Sequence, residues 1–247
     1  MQNPEVTRKA NMSYLVPLVL NICLGSMPVG YVLAGNNVVG EIVAIQLEWG
    51  DRSTFKNTTI NGTAVFGMVV GALSAGLILP IGRRKTMYVM NLLIILGTCA
   101  TLFPIYSLIL VGKLVFGFGC GGTISACGTF LAETIPPEKS QIFGTSLNTG
   151  IITGLALALV TSLGLPAKDA PEALTTNYWR IINGTPILFS LVNTLLWYFK
   201  YPYDALLFTI KQKNDEDAKE MIKLVYRQDS TFEYTKIFEG LQKMVAD

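Results

Sequence analysis

The sequence contains no histidine among its 247 residues. Histidine is the commonest general base and metal ligand in proteins, so its absence excludes every Ser/His and Cys/His catalytic arrangement. The four cysteines lie inside apolar runs and form no CxxC pair, which argues against a zinc or redox site: Cys23, Cys99, Cys120 and Cys127. No paired carboxylates face the interior of an apolar run, and no phosphate-binding loop follows a strand, so neither acid–base nor phosphate chemistry is indicated. We therefore predict no enzymatic activity, no metal and no cofactor.

Charged residues are also scarce, at 15% of the chain, whereas hydrophobic residues make up 51%. A net charge of +2 with scattered basic residues does not support binding to phosphates, so we expect no nucleic-acid partner. A mean hydropathy of +0.45 is typical of an integral membrane protein. The first apolar run, 13–35, is too long for the core of a signal peptide and contains no cleavage site. We interpret it as an uncleaved first membrane span.

Apolar runs of spanning length recur along the chain up to residue 200. A bilayer core needs roughly 20 helical residues, and six runs fit that length. The predicted spans are 13–35, 60–81, 86–104, 105–132, 141–165 and 180–199. The predicted fold class is therefore an all-α integral membrane protein, with a short N-terminal segment at 1–12 and a six-helix bundle over 13–200.

Basic residues indicate which side of the membrane the chain termini face. An even number of spans places both termini on one side, and the side richer in Lys and Arg faces the cytoplasm or the matrix. The residues on that side are Arg8, Lys9, Arg83, Arg84, Lys85, Lys139 and Lys200. The opposite loops carry mixed charge: Asp51, Arg52 and Lys56 in one, and Lys168, Asp169 and Glu172 in the other. We expect both termini on the cytoplasm-facing or matrix-facing side, in the plasma membrane or an organelle.

The segment 201–247 is predicted to form short amphipathic helices on the same side as the termini. Asn214 before Asp217 predicts an N-cap, and Ser230 before Glu233 predicts a capping box. Apolar residues follow at helical spacing: Ala218, Met221, Ile222 and Val225, then Ile237, Phe238, Leu241, Met244 and Val245. These apolar faces could rest on the membrane, on the ends of the six helices or on a partner.

Two features of the predicted spans concern their interior. Small residues recur every four positions and predict closely packed helices: Gly67, Gly71 and Ala75; Gly117 and Gly121; Gly150, Gly154 and Ala158. Lys113 is the only ionisable residue well inside a span. Such a residue is a candidate for a functional role, but a lysine near the outer end of its helix can also snorkel toward the headgroups.

The order of several motifs resembles the sugar-porter branch of the major facilitator superfamily, which includes the facilitative glucose transporters. The motifs are GRRK from Gly82, GKLVFGFGCGG from Gly112, FLAETIPPE from Phe130, LNTGIITG from Leu147, and Trp179-Arg180. The resemblance implies the N-terminal six-helix half of a twelve-helix fold, followed by intracellular helices, with substrate held between two halves. It also implies two kinds of partner. One is a second six-helix half, in a homodimer or heterodimer, and the other is the surrounding lipid.

The resemblance assigns roles to four residues. Arg83, Arg84 and Glu133 match the family's inner gate network. Asn148 aligns with a glutamine that the family uses to hold sugar hydroxyls, and its shorter amide can still donate and accept hydrogen bonds. The alternative for Asn148 is a packing residue bonded to a neighbouring helix.

Several positions depart from the family pattern. Leu79 stands where the family has an acidic residue or Asn, Ser140 stands where it has Arg, and only Asp204 is retained from an acidic motif after the sixth span. The expected ion-pair network is therefore incomplete. Val32 replaces the aspartate of proton-coupled members, which predicts no proton symport by that route. Two sequons, at Asn57 and Asn61, are expected in the first outer loop.

Two functions remain open at this point. The chain is half of a facilitative hexose or polyol transporter that acts with a second half, or it is a non-transporting accessory subunit of a larger membrane complex. The second alternative includes the mitochondrial inner membrane, where Asn57 and Asn61 would not be glycosylated.

Overall fold

The computed structural model describes residues 10–167, 170–227 and 234–246, and these residues are mostly helical. The predicted contributions of Arg8, Lys9, Lys168, Asp169, Ser230 and Glu233, and of the Met244 and Val245 side chains, lie outside the described part. The α-helices in the described residues are α1 (Met12–Gln46), α2 (Ser53–Ile78), α3 (Arg83–Thr101), α4 (Tyr106–Thr134), α5 (Pro137–Gly144), α6 (Ser146–Ser162), α7 (Tyr178–Phe199), α8 (Leu206–Lys211), α9 (Asp215–Val225) and α10 (Tyr234–Ala246).

Five helical segments of the described chain are long and apolar enough to cross a membrane, one fewer than predicted. They are Met12–Gln46, Gly50–Ile81, Tyr106–Thr134, Pro137–Ser162 and Tyr178–Phe199. The remaining predicted span, 86–104, corresponds to α3, which has only 19 residues and begins with three consecutive cations. The helix nevertheless belongs to the bundle, because it packs against α4 and α7.

The first two helices extend further on the outer side than the hydropathy indicates, because polar residues pair between them. The Asn61 Nδ2 donates to the Asn37 Oδ1 at 3.2 Å, and the Asn57 Nδ2 donates to the carbonyl of Gly40 at 3.1 Å. These contacts stabilise helical turns beyond the predicted limits of 13–35 and 60–81. The two sequons therefore lie in α2, and the expectation that they occupy a loop is wrong.

The helices of the bundle pack in pairs through the small residues that the sequence indicates. The helix α2 lies on α4, and α1 lies on α6 and α7. A Cβ added at Gly71 would lie 2.1 Å from the carbonyl oxygen of Phe118, and one at Gly117 would lie 2.1 Å from that of Ala64. Gly154 approaches the Met27 carbonyl as closely. The prediction of closely packed helices is confirmed, since only glycine permits such contacts.

A chain of buried amides connects three helices in the interior of the bundle. The Asn91 Nδ2 of α3 donates to the Asn193 Oδ1 of α7 at 2.8 Å, and the Asn193 Nδ2 donates to the Asn21 Oδ1 of α1 at 2.9 Å. All three residues are at most 2% exposed. In a low-dielectric interior each bond also orients the next amide, so the chain sets the register of α1, α3 and α7.

The C-terminal helices α8, α9 and α10 rest on one end of the bundle. Their apolar residues belong to the same buried cluster as Leu15, Phe130 and Trp197 of the bundle. The Asn11 backbone N–H, beside the start of α1, donates to the Val225 carbonyl at 2.8 Å. Of the three surfaces considered from sequence, the helix ends are therefore the one that α9 and α10 contact. The predicted cap is also confirmed, since Asn214 accepts from the Asp217 N–H.

Candidate functional site

The inner network consists of residues at the start of α3 and the end of α4. The Arg83 Nη2 lies 2.5 Å from the Glu133 Oε1, and the two side chains are 14% and 18% exposed. The Arg83 guanidinium also lies over the Phe208 ring of α8, with its carbon 4.1 Å from the ring centroid. A charge-assisted hydrogen bond in this half-buried setting ties α3, α4 and α8 together.

Arg84 points to a different partner than Arg83. Its Nε donates to the Trp197 carbonyl at 3.2 Å and its Nη1 donates to the Pro202 carbonyl, so its guanidinium binds the chain that leaves α7. The Arg84 backbone N–H donates to the Asp204 Oδ1 at 3.2 Å. The Asp204 carboxylate thus caps the N-terminus of α3, where the helix dipole favours a negative charge.

Gly82 permits this capping arrangement. Its φ of +135° lies in a region that L side chains rarely adopt, and a Cβ there would lie 2.8 Å from the Asp204 Oδ2. The glycine of the GRRK motif is therefore required both by its backbone conformation and by the approach of the carboxylate.

Two buried atoms of the inner network, one on each member of the Arg83–Glu133 pair, lack a hydrogen-bond partner among the described residues. Leu79 contributes only its carbonyl oxygen, which accepts from the Arg83 Nη1 at 3.2 Å. Ser140 is exposed on α5. The two buried atoms are the Arg83 Nε and the Glu133 Oε2. The structure thus brings Arg83 and Glu133 together, and it places Arg84 beside Asp204.

Asn148 lies in the first turn of α6 and is exposed. Gly150 and Gly154 of the same helix face α1. Because successive residues turn by about 100° around a helix, Asn148 lies on nearly the opposite side from Gly150. Its amide forms no hydrogen bond within the described part of the chain, so no neighbouring helix of that part holds it.

Lys113 is buried in α4, with 4% of its surface exposed, so the snorkelling alternative is wrong. Its Nζ donates to the Asn36 Oδ1 of α1 at 2.6 Å. Asn36 was missed from sequence because it lies beyond the predicted end of the first span. Polar residues at helical spacing after residue 35 are the signal that would have revealed it.

Comparisons with known proteins agree with this arrangement. Residues 18–246 match the model of the family described as "Sugar (and other) transporter". The chain is 25% identical over 234 residues to hexose transporter 1 of Plasmodium vivax, covering 88% of this chain and 46% of that protein. It is 25% identical over 241 residues to hexose transporter 1 of Toxoplasma gondii, covering 89% and 42%. The chain therefore spans about half the length of these relatives.

Solved structures show the same fold. The proton:xylose symporter XylE bound to 6-bromo-6-deoxy-D-glucose superposes with a TM-score of 0.82 at 15% identity, covering 96% of this chain and 54% of that one. The inward-open xylose transporter XylE from E. coli gives a TM-score of 0.77 at 16% identity, covering 94% and 57%. The described helices thus form half of a major facilitator fold in a multi-pass membrane protein. The chain belongs to the sugar (and other) transporter family.

Proposed function

We propose that the chain forms one half of a facilitative hexose or polyol transporter and contributes Asn148 to the substrate site. The observation that carries this proposal is the exposed amide of Asn148, which no group of the described chain satisfies. An amide that is free to donate and accept suits a ligand with many hydroxyl groups. The relatives from Plasmodium vivax and Toxoplasma gondii are hexose transporters, which supports the same substrate class.

The partner in this proposal is a second six-helix half, either another copy or a separate chain. Family members hold substrate at the midplane between two halves, so a single half offers one wall of the site. Large apolar side chains of α2 and α6 are exposed, including Leu73 at 77% and Val160 at 62%, and such faces need either lipid or protein to cover them.

The proposal places both termini on the cytoplasm-facing or matrix-facing side. The contact between Asn11 and Val225 supports it, because it holds the start of α1 and the helix α9 at the same end of the bundle. The cations Arg83, Arg84 and Lys85 lie at that end too, as the excess of basic residues on the cytoplasmic side requires.

The alternative is an accessory subunit of a larger membrane complex that keeps the fold without transport. The specific observation in its favour is the inner network, in which the Glu133 Oε2 has no partner and Ser140 stands where the family has an arginine. A weakened gate would matter little in a subunit whose role is structural.

A binding measurement tests the proposal. The native particle is extracted in mild detergent, its mass and composition are determined, and D-glucose binding is measured for the wild type and for Asn148→Leu. One lost hydrogen bond that leaves a ligand hydroxyl unsatisfied should weaken binding by about tenfold. Asn148→Gln should retain most of the affinity.

Thr149→Val is the matched control, because Thr149 is the adjacent exposed residue and its hydroxyl already donates to the Thr145 carbonyl at 3.2 Å. It should leave binding unchanged. If the particle contains many unrelated subunits and no hexose binds, the accessory role is correct. If hexose binds equally to Asn148→Leu, Asn148 is not part of the site.

A further inference from the structure

Two neighbouring cavities that share lining residues lie beside α1 and α2 on the outer side, away from Asn148. The larger is an open groove of about 620 Å³ lined mainly by polar side chains. The smaller is a chamber of about 30 Å³ that Lys113 lines. Asn36, Asn57 and Asn61 line both, so these three residues lie where the groove and the chamber adjoin.

Lys113 has no counter-ion in the described structure. Its ammonium has three N–H donors, and the Asn36 Oδ1 accepts from one of them. No carboxylate lines the chamber, since Glu41 and Glu48 line only the groove. An ammonium buried without an opposite charge is costly in free energy, and an anion beside it would offset that cost.

Among the other polar residues of the chamber, Asn183 can also donate to an anion. The Trp179 Nε1 donates to the Gln46 Oε1 at 2.8 Å, and the Thr101 hydroxyl donates to the Thr98 carbonyl, so both are already satisfied. The Asn183 amide forms no hydrogen bond within the described chain and remains available as a donor. The available donors are thus those of Lys113 and of amides.

The volumes limit the ligand. One water needs roughly 10–15 Å³ of such space, so a chamber of about 30 Å³ holds one small group and excludes sulfate or phosphate. The groove, at about 620 Å³, falls within the range of sites for small organic ligands, roughly 300–1,000 Å³.

We propose that the chamber beside Lys113 binds a small monovalent anionic group, which is either a free halide or the carboxylate of an acidic sugar held in the groove. Both sources supply the same chemistry, a single negative charge on a compact group. The proposal is independent of hexose transport, because the halide alone requires neither a second half nor Asn148.

The test is a calorimetric titration of the full-length chain in mild detergent at constant ionic strength set with sodium sulfate. The probes are sodium bromide, sodium D-glucuronate and D-glucose, of which the last lacks the charge. Lys113→Met removes the charge and keeps an unbranched apolar chain, so it should fold. Lys56→Met is the matched control, because Lys56 is a cation of the outer end that lies over the Trp49 ring and lines neither cavity.

We expect Lys113→Met to weaken anion binding at least tenfold, since a charge-assisted hydrogen bond contributes about that much. Asn183→Leu should weaken it by about threefold to tenfold, and Lys56→Met should leave it within twofold. Lys113-dependent binding of bromide identifies a free anion as the ligand. Lys113-dependent binding of D-glucuronate without bromide binding identifies an acidic sugar.

The proposal is overturned if neither anion binds saturably, or if both bind Lys113→Met as well as the wild type. Either result leaves the hexose measurement on Asn148 untouched, because D-glucose binding is scored separately. The failure of one proposal is therefore distinguishable from the failure of the other.

Discussion

Replacing Gly71 by alanine should destabilise the bundle, whereas the same change at Gly76 should not. Both residues lie in α2, five positions apart. The added Cβ at Gly71 would lie 2.1 Å from the Phe118 carbonyl oxygen of α4, while nothing lies within 4 Å of a Cβ at Gly76. The two substitutions are chemically identical and differ only in what the new methyl group meets.

The structure sets the magnitude of the difference. Real Cβ atoms essentially never approach closer than 3.0 Å, so α2 must move away from α4 by about 1 Å in Gly71→Ala. Overpacking of this kind costs typically 1–3 kcal/mol. Alanine improves helix propensity at both positions by about 0.5–1 kcal/mol, and this gain cancels in the comparison. We therefore expect Gly71→Ala to be less stable than Gly76→Ala by about 1–3 kcal/mol.

Thermal unfolding in detergent, followed with a thiol-reactive fluorophore, measures this difference. Cys120 and Cys127 are buried in α4 and become reactive only when the bundle opens, whereas Cys99 is exposed and sets the initial signal. At about 2–4 °C per kcal/mol for a chain of this size, the transition of Gly71→Ala should lie roughly 2–12 °C lower. Equal transitions for the two variants would refute the close contact between α2 and α4.

Two further predictions follow from the contacts of other residues. Arg83→Met and Glu133→Gln should each lower the free energy of unfolding by about 1–3 kcal/mol. A double-mutant cycle should give a coupling energy above about 0.5 kcal/mol. A coupling energy of zero would mean that the ion pair contributes nothing to stability. Asn57 and Asn61 should remain unglycosylated in a secretory host, because both lie in α2 and their amides donate hydrogen bonds to α1. A mobility shift on glycosidase treatment that Asn57→Gln and Asn61→Gln abolish would contradict this.

The fold class follows from the sequence because it depends on composition and local order. Long apolar runs, four-residue spacing of glycines and the GRRK motif from Gly82 are local patterns, and each predicts a helix or a turn by itself. The Asn214 cap is equally local, since its partner Asp217 is three residues away. These predictions agree with the structure because no distant residue is needed to make them.

Predictions that depended on distant partners were less successful. The predicted end of α1 is too early in the chain and the predicted start of α2 is too late. Asn37 and Asn57 are typical loop residues by sequence alone, and only their contacts with the other helix explain why they are helical. The position of Lys113 near the outer end of its helix allows snorkelling, but its 4% exposure excludes it. The buried amide chain through Asn193 gave no sequence signal, since a single asparagine in an apolar run has no periodicity.

The sequence by itself determined the helical membrane fold, the family and the candidate residues Asn148, Arg83, Arg84 and Glu133. Only the tertiary structure decided that Arg83 pairs with Glu133 while Arg84 meets Asp204, and that the amide of Asn148 is left without a partner in the described chain. The physical reason is that apolar length and spacing act through nearest neighbours and the bilayer, whereas the partner of a buried polar group depends on which helices the packing brings together.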